Sequence, residues 1–368
     1  MTRWLLRAAR PEDVDALAAL AQARAIGISS LATERAALAE QIAQSQAAFT
    51  SDDDASGEER YLFVLQELRS GRLAGTAGIA AAAGFNDRFY SYRNEFIVQT
   101  APALGARNRI HTLHLCHDLT GVTLLTGFHI DAALADTPAP QLLSRGRLAF
   151  IAAQAERFSD RIAAENPGLA DESGRCPFWD AVGQRFFGMG YPEAERLTGG
   201  FSPKGWIAEL MPQGPIYVPL LPEEAQWSLG QLHPVGDLPF SMLLDEGLDG
   251  DTYLNLFDGG PTAEGRVATL KTVRRRRAVA AEAAPAGRGP GAAASAAPPA
   301  WWLVDNGRRD GFAAMLLPAP APGQALALDA GAISALGWAP GHRLWAAPLD
   351  APAMPHANPP QPGADPWE

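Results

Sequence analysis

Cysteine is scarce in this 368-residue chain, which holds only Cys116 and Cys176. Two thiols cannot build a disulfide framework, so the fold must rest on packing, and such usage suits a reducing cytoplasm. Positive charge is also in deficit: 30 Lys and Arg face 41 Asp and Glu, a net charge of −11. That balance argues against a nucleic-acid partner and against docking on an anionic membrane. Clean apolar runs are missing as well. The longest uncharged stretch, 311–328, contains Pro318, Pro320 and Pro322, so it reads as a loop between strands rather than a transmembrane helix. Residues 1–7 (Met1 to Arg7) lack the apolar core of a secretory signal. What is present suffices for a large core: 47% of residues are hydrophobic and 19% charged, which excludes wholesale disorder. The length accommodates two or three domains at roughly 150 residues each.

The order of elements follows from periodicity. Leu5–Ala8 reads as a short strand. Arg10-Pro11-Glu12-Asp13 then starts a helix with apolar positions at Val14, Leu17, Leu20 and Ala21. Proline in a first helical turn loses no hydrogen bond, and acids there suit the dipole. A second helix is expected over 33–48. Tyr61–Leu68 and Leu73–Ala82 form a strand pair about the Ser70-Gly71 turn. Ile110–Cys116 and Gly121–Ile130 read as strands, Leu142–Phe158 as a helix, Arg161–Glu165 as a strand and Pro177–Phe187 as a helix. This order predicts an α+β fold on one mainly antiparallel sheet. Further strands are expected at Trp206–Leu210, Ile216–Leu220 and Tyr253–Phe257. The Ala/Pro/Gly run 278–300 reads as a flexible linker. Trp301–Val304, Ala313–Leu317, Ala325–Leu328 and Arg343–Ala347 suggest a small β module over 301–350, followed by a disordered tail at 351–368. The first domain then spans 1–277.

Chemistry-bearing residues divide into weak and stronger candidates. Asp258-Gly259-Gly260-Pro261-Thr262 is a sharp turn after a strand, and its glycine spacing matches neither a dinucleotide fingerprint nor a P-loop. His111, His114, Cys116, His117 and His129 have metal-ligating side chains, but a strand sends alternate residues to opposite faces, so they cannot all converge; no metal site is expected. Arg274–Arg277 reads as a solvated element end. His233 lies in Gly230-Gln231-Leu232-His233-Pro234, where the following proline favours an extended backbone that leaves an imidazole available for proton exchange.

Several blocks together resemble the arginine N-succinyltransferase family. They are Gly27-Ile28-Ser29-Ser30-Leu31, Phe85-Asn86-Asp87 with Tyr90, Tyr92 and Arg93, Leu119-Thr120-Gly121, Leu142-Leu143-Ser144-Arg145, Pro177-Phe178-Trp179, Gly230 to Pro234 and Phe257 to Thr262. They run in family order over about residues 3–277. Arg93-Asn94-Glu95, Cys116 to Gly121 and Ser144-Arg145-Gly146-Arg147 are most similar to the alpha-subunit branch, which acts on arginine and ornithine.

The resemblance implies an acyl-CoA N-acyltransferase (GNAT-like) fold and transfer of succinyl from succinyl-CoA to the α-amino group of L-arginine, or L-ornithine, in arginine catabolism. Succinyl-CoA would be a co-substrate, with no permanently bound cofactor. The enzyme would be a cytoplasmic hetero-oligomer with a homologous beta subunit. His233 matches the family's proton donor, and Phe128 falls on its succinyl-CoA contact, where leucine is usual. One departure stands out: Pro138-Ala139-Pro140 replaces the family's Gly-Asn-Gly at the phosphate-binding helix start. Two backbone donors are lost there, and Arg145 and Arg147 are expected to compensate in part as side-chain donors. Glu165-Asn166-Pro167-Gly168 also lacks the family's arginine. Glu95, Asp118, Glu165 and Glu209 are candidates for the substrate guanidinium. A weakened, structural or regulatory subunit and an acyltransferase for another amine are the competing readings.

Overall fold

A computed structural model describes residues 3–22, 31–52, 55–198, 210–284 and 300–350. The family blocks at 27–30, the expected strand at 206–209, Glu209, the linker from 285 to 299 and the tail from 351 lie outside the described residues.

The chain opens with β1 (Trp4–Ala8), then a 3-10 turn at Pro11–Asp13 leading into α1 (Val14–Gln22). The Asp13 carboxylate caps this start by accepting the Arg10 N–H at 2.7 Å. It also holds the buried Arg7 guanidinium through bonds of 2.7 and 2.9 Å. Helix α2 (Arg35–Thr50) and strands β2 (Arg60–Glu67) and β3 (Leu73–Ala80) follow. Next come β4 (Ser91–Ala101), β5 (Ala106–Cys116), β6 (Thr123–Ile130), α3 (Ala139–Ala153) and β7 (Arg161–Glu165).

Strand β4 is absent from the expected order, yet it pairs with β5 from Ser91↔Cys116 to Ala101↔Ala106. The expected helix 177–187 divides into α4 (Pro177–Ala181) and α5 (Gly183–Phe187). The break lets the Trp179 ring lie over Gly183, where a Cβ would stand 2.3 Å from it.

The later strands are β8 (Ile216–Tyr217), β9 (Asp249–Leu254) and β10 (Pro261–Arg266). From residue 277 onward lie β11 (Arg277–Val279), β12 (Ala281–Ala283), β13 (Trp301–Asp305), β14 (Ala313–Pro318), β15 (Leu326–Leu328) and β16 (Leu344–Pro348). The first residues of the expected linker, 278–283, thus belong to strands. Strand β14 pairs antiparallel with β1, so residues 301–350 extend the main sheet. That sheet has 14 strands in the order β11-β16-β13-β14-β1-β2-β3-β6-β7-β10-β9-β4-β5-β8.

Two layers clothe its centre. Alternate residues of β2 point to opposite faces: Leu62 and Val64 pack on Leu17 of α1 and Leu38 and Ile42 of α2, while Tyr61, Phe63 and Leu65 join Leu142, Leu143 and Phe150 of α3. Ser45 of α2 fixes its helix to β2 by accepting the Leu62 N–H at 2.8 Å. The candidate site lies between these layers, where β6 meets β7.

Candidate active site

Strands β6 and β7 form a parallel pair inside an otherwise antiparallel sheet, and the pairing is brief. Thr123 matches Ile162 and Leu124 matches Ala163. Past Leu124, β6 keeps its partner β3 up to Ile130, while β7 continues along β10 to Glu165. The two strands therefore part toward their C-terminal ends and leave a V-shaped gap.

A bulge sits at the point of parting. Thr76↔His129 and Gly78↔Thr126 flank it, so Gly127 and Phe128 together oppose Ala77 alone. Gly127 has φ +60°, a left-handed conformation that glycine adopts without penalty. The bulge reverses the side-chain parity of β6. Leu125, Phe128 and Ile130 all face the α3 layer, although 125 and 128 would point oppositely in a regular strand. Gly127 and Phe128 thus lie on the edge of β6 that β7 leaves unpaired past Leu124.

Three loops meet beyond Glu165, at the C-terminal end of β7. The Asn166 N–H donates to Pro261 O at 3.1 Å, Gly230 N–H to Gly259 O at 2.9 Å and His233 N–H to Pro167 O at 2.9 Å. Glycine is required in this stack: a Cβ on Gly168 would stand 2.4 Å from Asp258 O, and one on Gly260 2.4 Å from Asn166 O. The turn Asp258-Gly259-Gly260 is thus a brace for the loops around it. His233 is held by that brace through Pro167, which lies two residues past the end of β7. It caps the 3-10 turn Pro234–Gly236, with its Nδ1 accepting the Val235 N–H at 3.3 Å. A neutral imidazole so held carries its proton on Nε2.

Helix α3 begins three residues before the expected Leu142, with Pro138 as its N-cap. Its first turn is poor in donors. Pro138 and Pro140 have none, and the Ala139 N–H is taken by Thr137 Oγ1 at 3.3 Å.

The structure redirects the two arginines expected at phosphate. Arg145 is buried and forms ion pairs with Asp245 and Glu246, the latter at 3.1 Å. Arg147 is also buried, and its Nη1 donates to Gly78 O at 3.4 Å and Thr126 O at 3.2 Å. Burial pushes its pKa down to about 9, so it stays cationic at neutral pH. Both side chains point into the α3 packing rather than toward the helix start. Arg147 braces the bulge backbone from behind, with its guanidinium 5.7 Å from the Phe128 ring centre. Phe128 is half-buried beside the gap.

The acids divide in the same way. Glu95 and Asp118 both hold Arg93, at 2.5 and 3.0 Å. Glu165 ends β7 at the mouth and accepts from Asn255 Nδ2 at 2.8 Å. The histidines considered for metal scatter: His111 bonds Asn94 and stacks on Phe96, His114 contacts Thr112, and His117 lies beside Tyr90. Among the described residues no three His, Cys, Asp or Glu side chains are grouped to hold a metal ion. The bulge at Gly127 escaped the sequence reading, although a glycine inside a strand is itself a signal for one.

Comparisons with known proteins agree with this architecture. The family model described as arginine N-succinyltransferase beta subunit matches residues 4–272. Arginine N-succinyltransferase subunit alpha of Pseudomonas aeruginosa is 41% identical over 90% of this chain and 96% of its own length. Arginine N-succinyltransferase of Salmonella schwarzengrund is 35% identical over 90% of this chain and 94% of its own. The solved structure of arginine/ornithine succinyltransferase subunit AI from Pseudomonas aeruginosa superposes with a TM-score of 0.84 at 38% identity, covering 95% of this chain and all of that one. A splayed, bulged strand pair in an α+β sheet, with relatives of this kind, defines an N-acyltransferase that uses an acyl-CoA donor. The chain belongs to the arginine N-succinyltransferase family.

Proposed function

We propose that this chain is the alpha subunit of an arginine/ornithine N-succinyltransferase. It seats succinyl-CoA across the gap between β6 and β7 and passes the succinyl group to the α-amine of L-arginine, with L-ornithine as the alternative acceptor. The observation that carries the reading is the two-residue parallel pairing of β6 and β7, with the bulge at its edge and His233 at its mouth.

Direct attack of the deprotonated amine on the thioester carbonyl builds negative charge on oxygen. Backbone N–H groups on this unpaired edge at 126–128 are suited to meet it. As the tetrahedral centre collapses, the C–S bond breaks and the CoA thiolate takes a proton. That proton is the surplus one of the attacking nitrogen, passed on through His233, whose Nε2–H donates to the departing sulfur. Phe128 lines the acyl end beside the bulge. Glu165, on β7 at the mouth, is the acid best placed for the substrate guanidinium.

His233→Ala should lower kcat by 10²–10⁴-fold, the usual worth of a positioned acid. An activated succinyl thioester, whose thiolate leaves without a proton, should restore most of the loss. Equal losses on both donors would rule out His233 as the acid.

A second reading is favoured by the start of α3. With Pro138 and Pro140 in the first turn, the chain binds CoA pyrophosphate weakly and leans on a homologous beta subunit for much of the turnover. Names of relatives as subunit alpha and subunit AI support such a partner. We also place the enzyme in the cytoplasm, where CoA thioesters are found. Among the described residues no helix is long and apolar enough to cross a membrane.

A further inference from the structure

The hairpin formed by β4 and β5 outgrows the sheet that holds it. Its two strands pair with each other from end to end. Strand β9, however, joins β4 only at Tyr92 and Arg93, and β8 joins β5 only at Thr112 and Leu113. Among the described residues, the outer part, 96–110, therefore has no third strand on either edge. A two-stranded ribbon alone in water is marginally stable, and this one exposes Phe96, Val98 and Leu104, the last at 82%. Phe96 and Val98 share one face with Arg107 and Arg109, because the register sets Val98 opposite Arg109 and Thr100 opposite Arg107. The Arg109 guanidinium lies over the Phe96 ring at 3.9 Å. No acid occurs between Glu95 and Asp118, so this arm is apolar and purely cationic in a chain of net charge −11.

A complementary surface lies beside the base of the arm. Strand β8 leads through the turn Val218–Leu220, which packs on β5, into the short helix Glu223–Ser228. Leu220 is 83% exposed and Trp227 62%. Glu223 precedes Trp227 by four residues and so neighbours it on the helix surface. Glu224 adjoins, and both acids are exposed. Arm and patch are both open in one chain, so neither covers the other within it. We propose that two copies of this chain form a two-fold dimer by exchanging arms. Each hairpin lays Phe96 and Val98 against Leu220 and Trp227 of the second copy, and Arg107 and Arg109 against its Glu223 and Glu224. The two-fold axis uses every contact twice, and apolar anchors rimmed by opposite charges are the anatomy of a specific interface.

Sedimentation velocity of the full chain across the micromolar range tests this. Wild type should dimerise. Arg107→Glu with Arg109→Glu sets acid against acid. Glu223→Arg with Glu224→Arg sets cation against cation. Each of these variants alone should raise the dimer Kd by roughly 10-fold or more. Mixed in equal amounts, the two variants match each other at both arm contacts and should dimerise about as well as wild type. Such recovery requires both chains to be folded, which separates a lost contact from a lost fold. Trp227→Ser should weaken the dimer without any change of charge. A wild-type chain that stays monomeric alone, including one that associates only with a homologous subunit, would overturn the proposal. So would a dimer indifferent to both reversals, or reversed variants that remain apart when mixed.

Discussion

Replacing Gly127 probes the gap at its hinge. The residue has φ +60°, and a side chain there costs about 1–2 kcal/mol through crowding of Cβ against the following carbonyl. Gly127→Ala should therefore lose about that much stability, and Gly127→Val more, because a β-branched residue is a stronger outlier in this conformation. The alternative for the chain is to abolish the bulge, and the register shows why that is worse. Without the extra residue, Phe128 and Ile130 would leave the α3 core for the opposite face and His129 would enter it. Expelling two such side chains costs roughly 1.5–3 kcal/mol each, so the strained bulge wins and the fold survives. Catalysis should suffer more than stability. The direction of the N–H groups at the bulge depends on the same dihedral, and losing one aimed at the oxyanion costs on the order of 10²-fold in kcat. Thermal unfolding and steady-state kinetics on the Ala and Val variants check both parts. Unchanged kcat in a Gly127→Val enzyme would refute the assignment of the bulge to the transition state.

The start of α3 gives a gain-of-function test. Pro138→Gly with Pro140→Gly returns two backbone donors, each worth about 1.5–3 kcal/mol toward a charged partner. CoA affinity measured by calorimetry should rise at least 10-fold, and a flat response would show that pyrophosphate does not reach this turn. Arg145→Met should leave CoA affinity unaltered while lowering stability by about 3–5 kcal/mol, because Glu246 stays buried without its cation. Acid should loosen the same junction. Burial pushes the Asp245 carboxyl up, but Lys271 and Arg145 outweigh it and hold the group below its ordinary 3.8. The folded state thus binds a proton less readily than the unfolded chain, so this contribution is present above about pH 4 and disappears as pH falls further. Asp245→Asn should flatten the stability profile in that window, as followed by urea denaturation.

The core and the main helices were legible because their periodicity is local. Leu17, Leu38 and Ile42 repeat at helical spacing, and Tyr61 to Leu65 form a continuous apolar strand buried on both faces. Strand β4 was hidden by Arg93, Asn94 and Glu95, which interrupt its apolar pattern: Arg93 pairs with Glu95 within the strand and with Asp118, 25 residues on. The joining of 301–350 to the main sheet depends on β14 pairing with β1, some three hundred residues earlier, and composition carries no trace of such a contact. Strands at 278–283 were equally hidden, since alanine there records only backbone pairing to β16 and β15. In the candidate site, the extended backbone at His233 was readable from the proline after it, and the donor-poor start of α3 from Pro138 and Pro140. The contacts of Arg145 and Arg147 were not, because a basic residue about two turns into a helix looks the same whether it reaches phosphate or a buried Glu246.

The central claim is that a thioester lies between β6 and β7 with its sulfur toward His233. A crystal structure of this chain with a non-hydrolysable succinyl-CoA analogue tests it directly. The expected electron density places the sulfur surrogate within hydrogen-bond reach of His233 Nε2 and the acyl oxygen against the backbone of 126–128. An analogue bound elsewhere, with the gap filled by protein side chains, would contradict the account.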